Sequence, residues 1–146
     1  MKMIDVGDKE RTHRIAVATG SVRLASATLE RIAAGRIEKG DVLATARLAA
    51  IMAAKRTPDL VPLCHPIAIT AVVPELALDA DAGAVRVRVR VETRDRTGVE
   101  MEALTAVSAA CLTVYDMCKS IDPGMTIEAV RLEEKSGGKS GTWIRA

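Results

Sequence analysis

Apolar residues recur along this chain with two different periods, and the switches between them mark out its elements. Residues 84–94 (AVRVRVRVETR) alternate strictly, with Val85, Val87, Val89 and Val91 on one face and Arg86, Arg88, Arg90 and Glu92 on the other. That is the pattern of a strand buried on one side. Residues 14–24, 67–73 and 125–132 read as three further strands. Residues 26–34 instead place Leu29, Ile32 and Ala33 at helical spacing. An Ala-rich helix over 42–56 starts behind Asp41 as N-cap and is stopped by Pro58. A long helix over 99–119 is closed by Asp122-Pro123-Gly124. The order strand, helices, strand, strand, helix, strand predicts an α+β, ferredoxin-like βαββαβ domain, a four-stranded antiparallel sheet with its helices on one face. The arginine stripe then lies on the other face, towards solvent or a second subunit. The whole chain reads as a single domain, with a polar N-terminal arm over 1–13 and a glycine-rich C-terminal tail over 135–146.

Composition refines this picture in one respect. There is one Tyr, one Trp and no Phe. The core must therefore be aliphatic and closely packed, and an aliphatic element surface serves equally well as a subunit contact. A net charge of +2 is too small to imply nucleic acid. Cys64, Cys111 and Cys118 make an odd count without framework spacing, which suits reduced thiols. The first fourteen residues carry no apolar run, and no segment is long enough to span a membrane. The expectation is a cytoplasmic protein that binds neither nucleic acid nor membrane.

Candidate chemistry gathers on polar residues inside apolar stretches. Asp116 and Lys119 stand three residues apart on one helical face. Spacing alone favours a surface ion pair at a helix end. The chemical alternative is an acid/base lysine, which must be brought down from about 10.4 by burial or nearby cations. Lys39, Lys55, Lys135 and Lys139 are the available cations. His65, in the apolar loop DLVPLCHP, is either a hydrogen-bonded histidine at the core edge or a substrate ligand. Cys64 beside it has no second pair at metal-ligand spacing, so no metal site is expected. Glu100 and Glu102 open the long helix, where they either complement its dipole or accept hydrogen bonds from a guanine edge. KSGGKSG is either a solvated terminus or a phosphate-binding loop, and lacks the spacing of a Walker motif.

Three ordered blocks combine these signals: DVLATARLAAIMAAKRTPDLVPLCHP, TGVEMEALTAVSAACLTVYDMCKSID and VRLEEKSGGKSG. Together they resemble the MoaC family, the cyclic pyranopterin monophosphate synthases of molybdenum cofactor biosynthesis. The resemblance runs over nearly the whole chain. It implies a lyase that converts (8S)-3′,8-cyclo-7,8-dihydroguanosine 5′-triphosphate to cyclic pyranopterin monophosphate and pyrophosphate. It implies Asp116, Lys119 and Lys39 as catalytic residues. Leu63, Cys64, His65, Glu100, Met101 and Glu102 are then substrate-binding, and Arg14 and Lys135 match positions that handle the triphosphate; Lys55, one of the available cations, is counted with the substrate-binding residues on its charge. It also implies a homohexamer, a trimer of dimers, needing no cofactor, with Mg2+ left open as an aid to pyrophosphate departure.

The long helix constrains that implied site. Glu102 and Lys119 lie about 25 Å apart along its axis, too far for one nucleotide to span. The expectation is a site shared across a two-fold interface, where one chain's helix start approaches its partner's helix end. The rival readings are a nucleic-acid-binding module of the same fold, which would want aromatics on its sheet, and a non-catalytic assembly module.

Overall fold

The structure, a computed structural model, describes residues 1–146. In chain order it contains β1 (Thr12–Arg23), α1 (Ser26–Ala33), α2 (Val42–Lys55), α3 (Thr57–Leu60), β2 (Ile69–Asp79), β3 (Ala84–Asp95), α4 (Glu100–Cys118), β4 (Thr126–Ser136) and β5 (Trp143–Ile144). The five strands form one antiparallel sheet in the order β2-β3-β1-β4-β5. The expected count of four strands is corrected to five. The chain after Lys135 continues β4 and then folds back to pair Trp143 with Lys135 and Ile144 with Glu134. The expected glycine-rich tail is thus a loop held between two paired strands.

Local chemistry explains most boundaries. Asp41 caps α2 by accepting a hydrogen bond from the Ala44 N–H at 3.0 Å. Pro58 does not simply end a helix; α2 stops at Lys55 and Pro58 sits in the first turn of α3, where its missing N–H is not needed. β2 runs on through Pro74 to Asp79, beyond the expected Val73, because it is an edge strand that pairs with β3 on one side only.

The core lies between the sheet and the helices. Val85, Val87, Val89 and Val91 of β3 are buried, as their alternation predicts. α4 crosses β1, β3 and β4, and α2 packs beside α4. Ala46, Ala50 and Ala54 on α2, with Ala103, Ala106 and Ala110 on α4, are all buried. Such small side chains let two helices sit close together. On the opposite sheet face the arginines are neutralised locally. Arg86 pairs with Asp79 at 2.6 Å, Arg88 lies 4.0 Å from Glu75, and Arg90 pairs with Glu92. No helix is long and apolar enough to cross a membrane.

Candidate active site

The expected site residues, Lys55 apart, fall into two groups at opposite ends of α4. At the C-terminal end, Asp116 bridges two ammonium groups. Lys119 Nζ lies 2.8 Å from Oδ1, and Lys39 Nζ lies 2.7 Å from Oδ2. Lys39 also donates to the Asp116 carbonyl oxygen at 3.2 Å. Asp116 and Lys119 share a face because they are three residues apart on the last turn; Lys39 arrives from the turn that precedes α2. A shallow cavity of about 440 Å³ opens beside them, lined also by Thr45, Leu112, Thr113 and Met117.

The electrostatics here correct one expectation. The two ammonium groups hold the Asp116 carboxyl down to about 2. Asp116 in turn raises Lys119 above the ordinary lysine value. A lysine lowered towards neutrality is what the sequence reading asks for, and this arrangement gives the opposite. An accepting carboxylate stabilises the charged form, and Lys119 is too exposed for desolvation to offset it. Lys39 is the one additional cation in contact here. Lys135 pairs elsewhere, and Lys55 lines a separate cavity of about 280 Å³ with Ile51 and Ile67.

At the N-terminal end of α4, Glu102 is only 1% exposed. Its Oε1 lies 3.7 Å from Cys64 Sγ, and its Oε2 is buried without a partner. Burial raises this carboxyl to about 7. Burial and the neighbouring Glu102 raise the Cys64 thiol to about 11. Cys64 is therefore a protonated thiol, able to donate a hydrogen bond and unsuited to act as a thiolate nucleophile. Its sulfur also lies 3.7 Å from the His65 carbonyl oxygen. His65 is half-buried, and Leu63 and Met101 are exposed close by in sequence.

Two cations complete this end. Lys135 Nζ is 3.2 Å from Glu100 Oε1. Arg14 donates to the Arg96 carbonyl oxygen at 3.3 Å, and its Nε is buried without a partner. Arg14, Thr12, Lys9 and Lys139 border a polar cavity of about 430 Å³. No three His, Cys, Asp or Glu side chains converge as a metal-holding set.

Within one chain, then, the structure unites Lys39, Asp116 and Lys119 at one end and Cys64 and Glu102 at the other. The two groups remain about 25 Å apart along α4. The Cys64–Glu102 contact is absent from the sequence reading. Cys64 and Glu102 stand 38 residues apart on different elements, so no periodicity links them.

Residues 3–138 match the sequence model of the MoaC family. The chain is 56% identical to a cyclic pyranopterin monophosphate synthase of Novosphingobium aromaticivorans, an alignment covering 99% of this chain and 91% of the relative. It is 57% identical to the protein of that name from Rhodospirillum rubrum, covering 97% of this chain and 85% of the relative. For the one from Roseiflexus sp. the identity is 58%, over 98% and 90% of the two chains.

Proposed function

The chain belongs to the MoaC family, and from that premise we propose that it is an enzyme of molybdenum cofactor biosynthesis with cyclic pyranopterin monophosphate synthase activity. It takes (8S)-3′,8-cyclo-7,8-dihydroguanosine 5′-triphosphate to cyclic pyranopterin monophosphate and pyrophosphate. The observation that carries the residue assignment is the carboxylate of Asp116 held between Lys39 and Lys119. This is a compact set of proton donors around one acceptor.

The chemistry divides between the two ends of α4. Opening and reclosing the purine-derived ring needs proton transfers in both directions. Lys119, kept charged by Asp116, serves first as a proton donor. A substrate group that draws Asp116 away would let it return as a base. Glu102 offers an unpartnered, buried Oε2 to the guanine-derived edge, beside Cys64 and His65. A sugar hydroxyl then attacks the α-phosphorus. Its proton passes to a base, the bond to the β-phosphate breaks, and pyrophosphate leaves. Arg14 and Lys135 stabilise the leaving charge. No protein-bound cofactor is needed, and any Mg2+ would arrive with the triphosphate.

The same reading extends to assembly. The order β2-β3-β1-β4 is that of a ferredoxin-like βαββαβ sheet, with β5 added at one edge. A two-fold pairing of α4 with its counterpart in a second copy would bring Glu102 of one chain to Lys119 of the other. Leu48, Met52 and Leu112, all exposed on the helices, supply apolar area for such contacts. The complete particle is a cytoplasmic trimer of dimers.

The direct test supplies the cyclo-dihydroguanosine triphosphate and follows cyclic pyranopterin monophosphate and pyrophosphate. Lys119→Ala should abolish product while substrate binding stays measurable by calorimetry. Near-normal turnover by that variant would remove Lys119 from the mechanism.

A further inference from the structure

The match to the family model ends at residue 138, yet the chain beyond it is fastened. β5 lies against β4, with Trp143 opposite Lys135 and Ile144 opposite Glu134. Arg145 closes the hook. Its backbone N–H donates to the Glu133 carbonyl oxygen at 2.8 Å, and its Nε donates to the Leu132 carbonyl oxygen at 2.7 Å. Its guanidinium sits 5.6 Å from the centre of the Trp143 ring. The glycine loop between β4 and β5 is therefore held at both ends.

The near end of that loop presses on β1. Gly137 and Gly138 have φ of 99° and 71°, backbone conformations that suit glycine. A Cβ at Gly138 would come within 2.5–2.8 Å of the Arg14 guanidinium. Lys139 and Ser140 then reach the mouth of the polar cavity that Arg14 and Thr12 line. Thr12 Oγ1 and Arg14 Nε, both buried there, lack partners. Lys135 keeps its place without the hook, since its backbone also pairs with Ala16 of β1 and its ammonium points at Glu100.

We propose that the hook Trp143–Arg145 is a positioning element for the phosphate end of the reaction. It touches no substrate itself. It holds the loop 137–141 in the conformation that receives the phosphates, which makes it dependent on the triphosphate reading above. The reason is entropic. A loop tethered at one end must be ordered by its ligand, and that ordering is subtracted from affinity. A loop fastened at both ends is ordered beforehand. The hook should therefore act on KM and on pyrophosphate affinity and leave kcat nearly alone.

Trp143 is the chain's one tryptophan, so its emission reports on the hook directly. Inorganic pyrophosphate titrated into the full chain should give a saturable change in that emission. In Arg145→Ala, KM and the pyrophosphate Kd should each rise about tenfold, with kcat held within about twofold. Amide hydrogen exchange over 137–141 should quicken, and Arg145→Lys should restore part of each effect. Faster exchange with unchanged KM and pyrophosphate affinity would overturn the proposal, leaving the hook as an edge cover only. So would a fall in kcat with KM unmoved. Hook-dependent pyrophosphate binding in a chain that makes no cyclic product would sink the activity assignment and leave the hook's role standing.

Discussion

Glu102 sets the clearest expectation for a single side chain. Burial raises its carboxyl from 4.5 to about 7. Between those pH values the folded chain keeps a proton that the unfolded chain has released. Its stabilising contribution is complete below about pH 4.5 and is lost as pH rises through about 7, a span worth about 3 kcal/mol. Glu102→Gln keeps the shape and removes the titration. Urea midpoints at about pH 5 and pH 8 should differ less in that variant than in the parent. An undiminished difference would show that some other group carries the pH dependence. Asp116 acts in the opposite sense, and its effect is read in activity. Asp116→Asn should return Lys119 towards the ordinary lysine value and so move the alkaline limb of the kcat profile to lower pH. Turnover at neutral pH should fall by about a hundredfold or more; an unmoved limb would mean that Lys119 is not the proton donor. The Asp116–Lys119 pair could be read from spacing. Lys39, 77 residues from Asp116, and the Cys64–Glu102 pair could not, because spacing constrains neighbours only within one element.

Elements differ in how far their sequence defines them. β3 was legible from end to end, because a strand buried on one face leaves a period of two in the residues themselves. β2, β4 and β5 were not. Their limits are set by pairing partners, and an edge strand can run through Pro74 while a paired strand can continue into a glycine-rich segment. α4 and β1 meet where a side chain would not fit. A Cβ at Gly20 would lie 2.7 Å from Val107 Cγ1, 3.2 Å from Val130 Cγ2 and 3.4 Å from Cys111 Sγ. Gly20→Ala should lower stability by about 1–3 kcal/mol through forced displacement of α4 from the sheet. Denaturant unfolding measures this directly, and an unchanged midpoint would mean that the helix can shift at no cost.

At the scale of the whole molecule, the proposed shared site joins two groups of residues about 25 Å apart along α4. Mixing Lys119→Ala chains with Glu102→Ala chains tests it. In a shared two-fold site, each mixed dimer contains one site with both native groups and one with neither. Random pairing should then restore about a quarter of the parent activity. Verified mixed dimers without activity would place both groups in the same chain's site and would require a different substrate pose. Light scattering on the parent chain tests the trimer of dimers independently.

The sequence by itself determined the alternating strand, the aliphatic core, the long helix and the family blocks that surround Asp116 and Lys119. All of these depend on residue type and on separations of a few positions, which local backbone geometry converts directly into a shared face. Only the tertiary structure decided that Lys39 joins Asp116, that Glu102 is buried with one oxygen free, and that the C-terminal residues form a fifth strand. Those outcomes depend on which distant segments meet and how far they exclude water. Desolvation of that kind raises the carboxyl of Glu102, and contact of that kind lets Lys39 help hold the carboxyl of Asp116 down.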